Sequence, residues 1–287
     1  MENDILSVIE REVSGFSKGQ RLIAKYILDN YDKAAFMTAG KLGKTVGVSE
    51  STVVRFASEL GYDGYPEMRR VLQEVVRNKL TSVQRIEVAN EQIDEGNIVY
   101  SVMTADAERI HVTLDNINKV QFERAVDTIV AAKKVYIVGN RSSSSLAAFF
   151  GYYLNLMREN VSVVSDSAAS EIYEQLFRVG EDDCVVALSF PRYSSRTIAA
   201  VKYSSSKGAK SVCITDCEAS PLSNISDVTL YAKSDMVSFI DSLVAPMSLL
   251  NALIAEIGFR SKENISENFR KLEDVWSEYA VFLTDEQ

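Results

Sequence analysis

Two stretches set several hydroxyls beside an arginine where an apolar run gives way to helical periodicity. They are Gly139-Asn140-Arg141-Ser142-Ser143-Ser144-Ser145 and Ser189-Phe190-Pro191-Arg192-Tyr193-Ser194-Ser195-Arg196-Thr197. Hydroxyls and backbone N–H groups at a helix start attract anions, because the helix dipole is positive there. The guanidinium groups of Arg141 and Arg192 add fixed charge suited to phosphate or carboxylate. Gly139, Arg141, Ser142, Ser143, Ser189, Arg192, Ser194 and Ser195 are therefore the candidate anion-binding residues. Ordinary serine capping would account for one such loop; two on neighbouring strands favour a small anionic ligand.

A third stretch has a different chemistry. From Ser49 to Leu60, Val53, Phe56, Ala57 and Leu60 recur at helical spacing, while Ser51, Thr52, Arg55 and Ser58 point elsewhere. Ser49 is placed to cap this helix and Gly61 to end it. Thr38 caps a shorter segment through Lys44-Thr45-Val46, and Gly47-Val48 leaves room only for a tight turn. Two short helices joined by a glycine-containing turn describe a helix-turn-helix, whose second helix lies in the DNA major groove. A structural helical hairpin is the alternative. On the DNA reading, Ser51, Thr52 and Arg55, with Glu50, face base edges. Lys18, Arg21, Lys41 and Lys44 face phosphates, and Ser49 caps the helix and touches phosphate.

The elements that must position these residues fall into two rhythms. Before residue 80 the pattern is helical throughout, including a helix opened by Ser17 and carrying Leu22, Ile23, Tyr26 and Ile27, and another through Val71, Leu72 and Val75. Residues 81–97 turn polar and read as a linker with a short helical piece around 83–88; a helix over 98–116 follows. Beyond Lys119, strand-length apolar runs (Val135–Val138, Val161–Val164, Cys184–Leu188, Ser211–Ile214, Asp227–Leu230) alternate with helices expected over 143–158, 169–179 and 194–207. That alternation predicts a doubly wound parallel sheet, with ligands at the strand C-termini. Two final helices are expected, over 237–260 and 267–282. The expected organisation is an all-α helix-turn-helix bundle over residues 1–80, a linker over 81–97 and an α/β domain over 98–287.

Composition narrows the class. The net charge is −9, yet residues 1–80 hold 12 basic against 11 acidic side chains, and Lys18 to Lys79 alone hold 11 against 7. A locally cationic small domain can bind phosphates while an acidic partner domain limits non-specific association. No signal-like segment opens the chain, and Leu243–Ile257 contains Pro246, Asn251 and Glu256, so it reads as a buried helix and not a span. Cys184, Cys213 and Cys217 have no metal-site spacing, which suits reduced thiols of a cytoplasmic protein. His111 has no partner in sequence and reads as structural; neither a metal nor a cofactor is expected.

The run from Phe16 to about Arg77 resembles the N-terminal domain of RpiR-type bacterial transcription regulators. Its carriers are Lys18-Gly19-Gln20-Arg21, Ala35-Phe36-Met37-Thr38, Gly47 to Phe56 and Leu60-Gly61-Tyr62-Asp63-Gly64-Tyr65. Gly43 departs from the alanine usual there, and on sequence it loosens the helix by up to ~1 kcal/mol. Lys119 to about Arg260 similarly resembles a sugar isomerase (SIS) domain, the phosphosugar-binding module these regulators carry. The family loop Gly-x-Gly-x-Ser is here Gly139-Asn140-Arg141-Ser142-Ser143; Ser-x-Ser-Gly-x-Thr is here Ser189-Phe190-Pro191-Arg192-Tyr193-Ser194. Arginine thus replaces both loop glycines, and Pro191 replaces a serine. Thr215-Asp216 and Ser220-Pro221-Leu222-Ser223 also match the family.

The resemblance implies a cytoplasmic, ligand-responsive transcriptional regulator that binds a double-stranded DNA operator as a homodimer or homotetramer. It implies an effector of the phosphosugar or sugar-acid class; Arg141 and Arg192 either favour the more acidic of these ligands or fill their loops and pair with acidic neighbours, leaving the pocket degenerate. The competing expectation is a SIS-fold phosphosugar isomerase or lyase. Its general base would have to be Glu171 or Glu174, since His111 precedes the sugar-binding segment; both read more naturally as solvated charges.

Overall fold

The computed structural model describes residues 4–92, 96–164, 171–236 and 239–282. The chain divides into two units, Met1–Ile98 with Met236–Ile240, and Val99–Asp235 with Asp241–Gln287.

In the first unit, α1 (Ile5–Glu12) and a 3-10 turn lead into α2 (Lys18–Asp29), α3 (Tyr31–Ala34), α4 (Ala39–Val46), α5 (Glu50–Glu59), α6 (Tyr65–Lys79) and α7 (Ser82–Gln92). Local chemistry sets these boundaries. Ser17 and Gln20 form a reciprocal capping box at the start of α2. Thr38 and Ser49 accept from the amides of Lys41 and Thr52, opening α4 and α5. Gly47 takes the left-handed conformation, φ 75°, that closes α4 after Val46. The inner faces pack into one core that includes Ile9, Ile23, Ile27, Leu42, Val53, Phe56, Met68 and Leu72. Phe16 meets Phe56 edge-to-face at 5.1 Å, and the Tyr65 hydroxyl donates to the Met37 carbonyl at 3.0 Å. Within the stretch read as a polar linker the chain is helical, as α7, and begins on a Thr81–Gln84 side-chain cap.

Gly43 requires a revised reading. A Cβ there would stand 2.9 Å from the Val48 carbonyl oxygen and 3.4 Å from the Glu50 nitrogen. Glycine lets the turn close onto α4, an advantage that sets against its helix-propensity cost.

The second unit contains α8 (Ile98–Asp115, with its first residue in the other unit) and α9 (Lys119–Ala131). Then follow β1 (Val135–Gly139), α10 (Ser143–Met157), β2 (Val161–Val164), α11 (Glu171–Leu176), β3 (Cys184–Leu188), α12 (Ser195–Ser206), β4 (Lys210–Thr215), β5 (Val228–Tyr231), α13 (Val244–Arg260) and α14 (Lys262–Glu278). The five strands form one parallel sheet in the order β2-β1-β3-β4-β5. Alternate strand residues divide between its faces. Val135, Ile137, Val186, Val212 and Ile214 enter the core shared with α9, α10 and α13; Tyr136, Val138 and Val185 face α11 and α12.

The apolar runs located every strand, and helix boundaries moved where periodicity was weakest. Helix α13 begins at Val244 and not at 237: residues 239–243 are non-helical and Pro246 sits in its first turn, while 237 and 238 lie outside the described residues. Helix α14 begins five residues before its expected start. Residues 169 and 170, expected to open α11, also lie outside the described residues.

Candidate DNA-binding face and effector loops

Helix α5 is fixed by its buried stripe. Val53, Phe56 and Ala57 are fully buried, so Glu50, Ser51, Val54, Arg55 and Ser58 are left outward. Ser49 joins Ser51 and Thr52 in a hydroxyl cluster, with Oγ–Oγ 2.9 Å and Oγ–Oγ1 2.8 Å. The methyl of Thr52 turns toward Gly19, where a Cβ would be 3.4 Å away, so Thr52 is half-buried against α2. Arg55 is exposed, its Nε donating to the Ser51 carbonyl at 3.3 Å. The Glu50 carboxylate lies over Gly40 of α4, 3.3 Å from where a Cβ would stand. Lys41 and Lys44 are exposed on α4, and Lys18 is exposed at the start of α2. Arg21 is exposed as well, but its Nε is held by the Phe16 carbonyl at 2.7 Å.

The effector-loop candidates come together at one place in the second unit. Strands β1 and β3 are adjacent, with Gly139 paired opposite Leu188. From that point the connections run to opposite sides of the sheet, which makes the β1/β3 carboxyl ends the switch point where open parallel sheets bind ligands. Gly139 ends β1 under α10: a Cβ would meet the Ser143 carbonyl at 2.5 Å and the Ala147 Cβ at 3.0 Å. Arg141 has φ 57°, a left-handed conformation that glycine enters freely and other residues at ~1–2 kcal/mol. The loop thus keeps glycine-type backbone geometry while presenting a guanidinium. Arg192 is not in that region, and both arginine side chains are exposed.

The hydroxyls have more varied duties than their number suggests. Ser144 and Ser145 turn back onto the carbonyls of Arg141 and Ser142, at 2.6 and 2.7 Å. Ser143 is buried, and the amides of Ser143 and Ser144 donate to the carbonyls of Asn140 and Arg141. Ser142 and Ser195 are exposed. Ser194 caps α12 through the Thr197 amide, and its own amide donates to the buried Ser189 Oγ at 3.2 Å.

Several residues beside these loops were not among the anion-binding candidates, although Thr215, Asp216 and Ser220 lie in a stretch that resembles the family. Asn140, 4% exposed, donates through Nδ2 to Ser194 Oγ at 3.2 Å and Thr197 Oγ1 at 2.9 Å, tying the first loop to the second. Tyr193 donates to Asp216 Oδ1 at 2.8 Å and fastens the second loop to the end of β4. Burial, the Asp216 carboxylate and Cys217 together push the Tyr193 phenol well above its ordinary range. Thr215 and Ser220 meet at 2.7 Å under the same strand end. An asparagine between a strand-ending glycine and an arginine was the available signal; the Tyr193–Asp216 pair, 23 residues apart, had none.

Glu171 is half-buried and Glu174 exposed on α11, and His111 is exposed on α8. Among the described residues, no group of three His, Cys, Asp or Glu side chains is placed to hold a metal ion. No helix of the described residues is long and apolar enough to cross a membrane.

Comparison with known proteins follows the same two-part division. Residues 3–79 match the family model of the helix-turn-helix domain, rpiR family, and residues 128–256 match that of the SIS domain. The chain is 26% identical over 273 residues to an uncharacterized HTH-type transcriptional regulator of Clostridium perfringens, covering 93% of this chain and 95% of that one. The sugar isomerase domain of an RpiR transcription factor from Sphaerobacter thermophilus superposes with a TM-score of 0.60 at 28% identity, over 62% of this chain and 99% of that one. The Vibrio vulnificus NanR protein, complexed with ManNAc-6P, gives a TM-score of 0.57 at 21% identity over 96% of this chain and 98% of its own, a likeness of fold.

Proposed function

We propose that this chain, which belongs to the RpiR-type transcriptional regulators by its rpiR-family helix-turn-helix domain and its SIS domain, binds a double-stranded DNA operator and alters that binding when a small anionic effector occupies the SIS domain. The observation that carries the DNA half is the outward face of α5, where Ser51 and Arg55 stand exposed over a fully buried Val53–Phe56–Ala57 stripe. Ser49, Glu50 and Thr52 border that face, and Lys18, Arg21, Lys41 and Lys44 supply phosphate contacts that fix register without reading sequence. Residues 1–80 form the DNA-binding part, 81–97 the connection and 98–287 the effector part.

The effector is an anion of the phosphosugar or sugar-acid class, held at the β1 and β3 ends by Gly139, Arg141, Ser142, Ser143, Ser189, Arg192, Ser194 and Ser195. Support comes from the cross-braced pair of loops at the sheet's switch point, each of which carries one exposed arginine. Arginine at both positions favours ligands more acidic than a simple hexose phosphate. The protein acts by binding and not by turnover. It works in the cytoplasm as a homodimer or homotetramer, since a helix-turn-helix gains affinity when two copies address half-sites about one DNA turn apart. The effector shifts DNA affinity only by its differential affinity for the DNA-competent and DNA-incompetent arrangements.

The test is fluorescence anisotropy on DNA from the gene's own upstream region, with and without phosphosugars, sugar acids and phosphorylated sugar acids. Salt-sensitive, sequence-selective binding that one class modulates supports the proposal. Binding that competitor DNA of any sequence abolishes equally refutes it.

A further inference from the structure

The two adjacent valines of α5 have opposite fates. Val53 is fully buried, whereas Val54 is 40% exposed. The other sizeable apolar side chains of α4, α5 and their turn, Leu42, Val46, Val48 and Phe56, all belong to the core or pack against it. At 3.6 residues per turn, Ser51, Val54, Arg55 and Ser58 occupy roughly 100° of the helix circumference. Val54 therefore lies within the face proposed to enter the groove, beside the arginine proposed to read bases. Its neighbours one turn away are short: Ser51 bonds toward Ser49, and the Ser58 hydroxyl folds back to the Val54 carbonyl at 3.4 Å. Neither is long enough to cover the valine methyls. A β-branched side chain adds nothing to helix propensity at an exposed site, so local stability gives no reason for it.

Resting on the DNA-binding reading above, we infer that Val54 is a specificity-determining residue that reads the 5-methyl group of a thymine in the major groove. Of the groups displayed there, only that methyl is apolar, and an aliphatic side chain is its natural complement. Ser51 and Arg55, as donors and acceptors, read polar edges; Val54 supplies what they lack. The discrimination expected is that of burying about one methyl group, about fourfold in affinity.

The experiment uses the full-length protein and a binding site enriched from random-sequence DNA. Each thymine of that site is replaced in turn by deoxyuridine, which removes the methyl and keeps every hydrogen-bonding group. Wild type should lose about fourfold in affinity at one thymine per half-site, and Val54→Ala should bind the thymine and deoxyuridine versions equally. Melting of Val54→Ala and Val54→Ser within a degree or so of wild type excludes misfolding, as expected for an exposed position. Deoxyuridine without effect at every position, or an effect that persists in Val54→Ala, overturns the assignment of Val54 and leaves the DNA-binding reading intact. Failure of the wild type to enrich any sequence overturns both.

Discussion

Replacing Arg141 by glycine should raise stability while lowering effector affinity, and the pair of effects separates a ligand-binding arginine from one that only fills its loop. The backbone at Arg141 is left-handed, φ 57°, at a cost of ~1–2 kcal/mol that glycine does not incur. Glycine gives back ~0.5–1 kcal/mol through its greater freedom in the unfolded chain. The balance is a gain of roughly 0.5–1 kcal/mol, or an upward shift of about 1–4 °C for a domain of this size. Arg141→Ala keeps the strained conformation and should show no such rise. Both variants lose the guanidinium, a charge-assisted hydrogen bond of ~1.5–3 kcal/mol, so effector binding weakens by about tenfold or more. Calorimetric melting of the three proteins, with titrations of whichever phosphosugar or phosphorylated acid stabilises the wild type, measures both. Arg141→Gly melting no higher than Arg141→Ala would refute the strain argument. Undiminished affinity in both variants would refute the role of Arg141 in binding.

Other predictions follow from the same geometry. Arg55→Ala should lower affinity for an enriched DNA site by ~1–3 kcal/mol and leave the melting temperature unchanged, as read by anisotropy and circular dichroism. Gly43→Ala should lower the denaturant midpoint of the N-terminal unit, because the new Cβ would press on the Val48 carbonyl at 2.9 Å by more than its ~1 kcal/mol gain in helix propensity. A higher midpoint would contradict the close-turn explanation. Burial pushes the thiols of Cys184 and Cys213 up to about 12. Native protein at pH 8 should therefore react with a thiol reagent at the half-exposed Cys217 first. For both buried thiols the folded value lies above the unfolded one, so their contribution is fully present below pH 9 and declines as pH rises toward 12. Stability measured by denaturant titration should fall over that window, and less steeply in a Cys184→Ala, Cys213→Ala protein.

Much of this architecture was legible because caps and apolar runs are local signals. Thr38, Ser49 and Gly47 announce the two helices and their turn within a dozen residues, and the strands of the parallel sheet are short apolar runs, β1 and β3 buried along their whole length. What escaped depends on contacts distant in sequence. The helical spacing of Val53, Phe56 and Ala57 marked the buried stripe of α5, but not that the stripe docks on Phe16 and Ile23. Nothing in Gly139-Asn140-Arg141 says that the asparagine braces Thr197, 57 residues away, or that the arginine takes a left-handed backbone. The full extent of helix α7, expected only as a short piece around 83–88, was hidden by its polar composition, and the start of α13 was obscured because an apolar run continues upstream of its first turn. The count of serines overstated the anion cradle, since Ser144 and Ser145 satisfy their own turn.

The most direct test of the account is one titration: fluorescence anisotropy of labelled operator DNA with the full-length protein, repeated across phosphosugars, sugar acids and phosphorylated sugar acids. Regulatory coupling free energies of ~1–3 kcal/mol correspond to affinity changes of about 5- to 150-fold. The account predicts a change in that range for at least one compound, lost when Arg141 and Arg192 are both replaced by alanine. DNA affinity that no compound alters, or that responds equally without the two arginines, would contradict it.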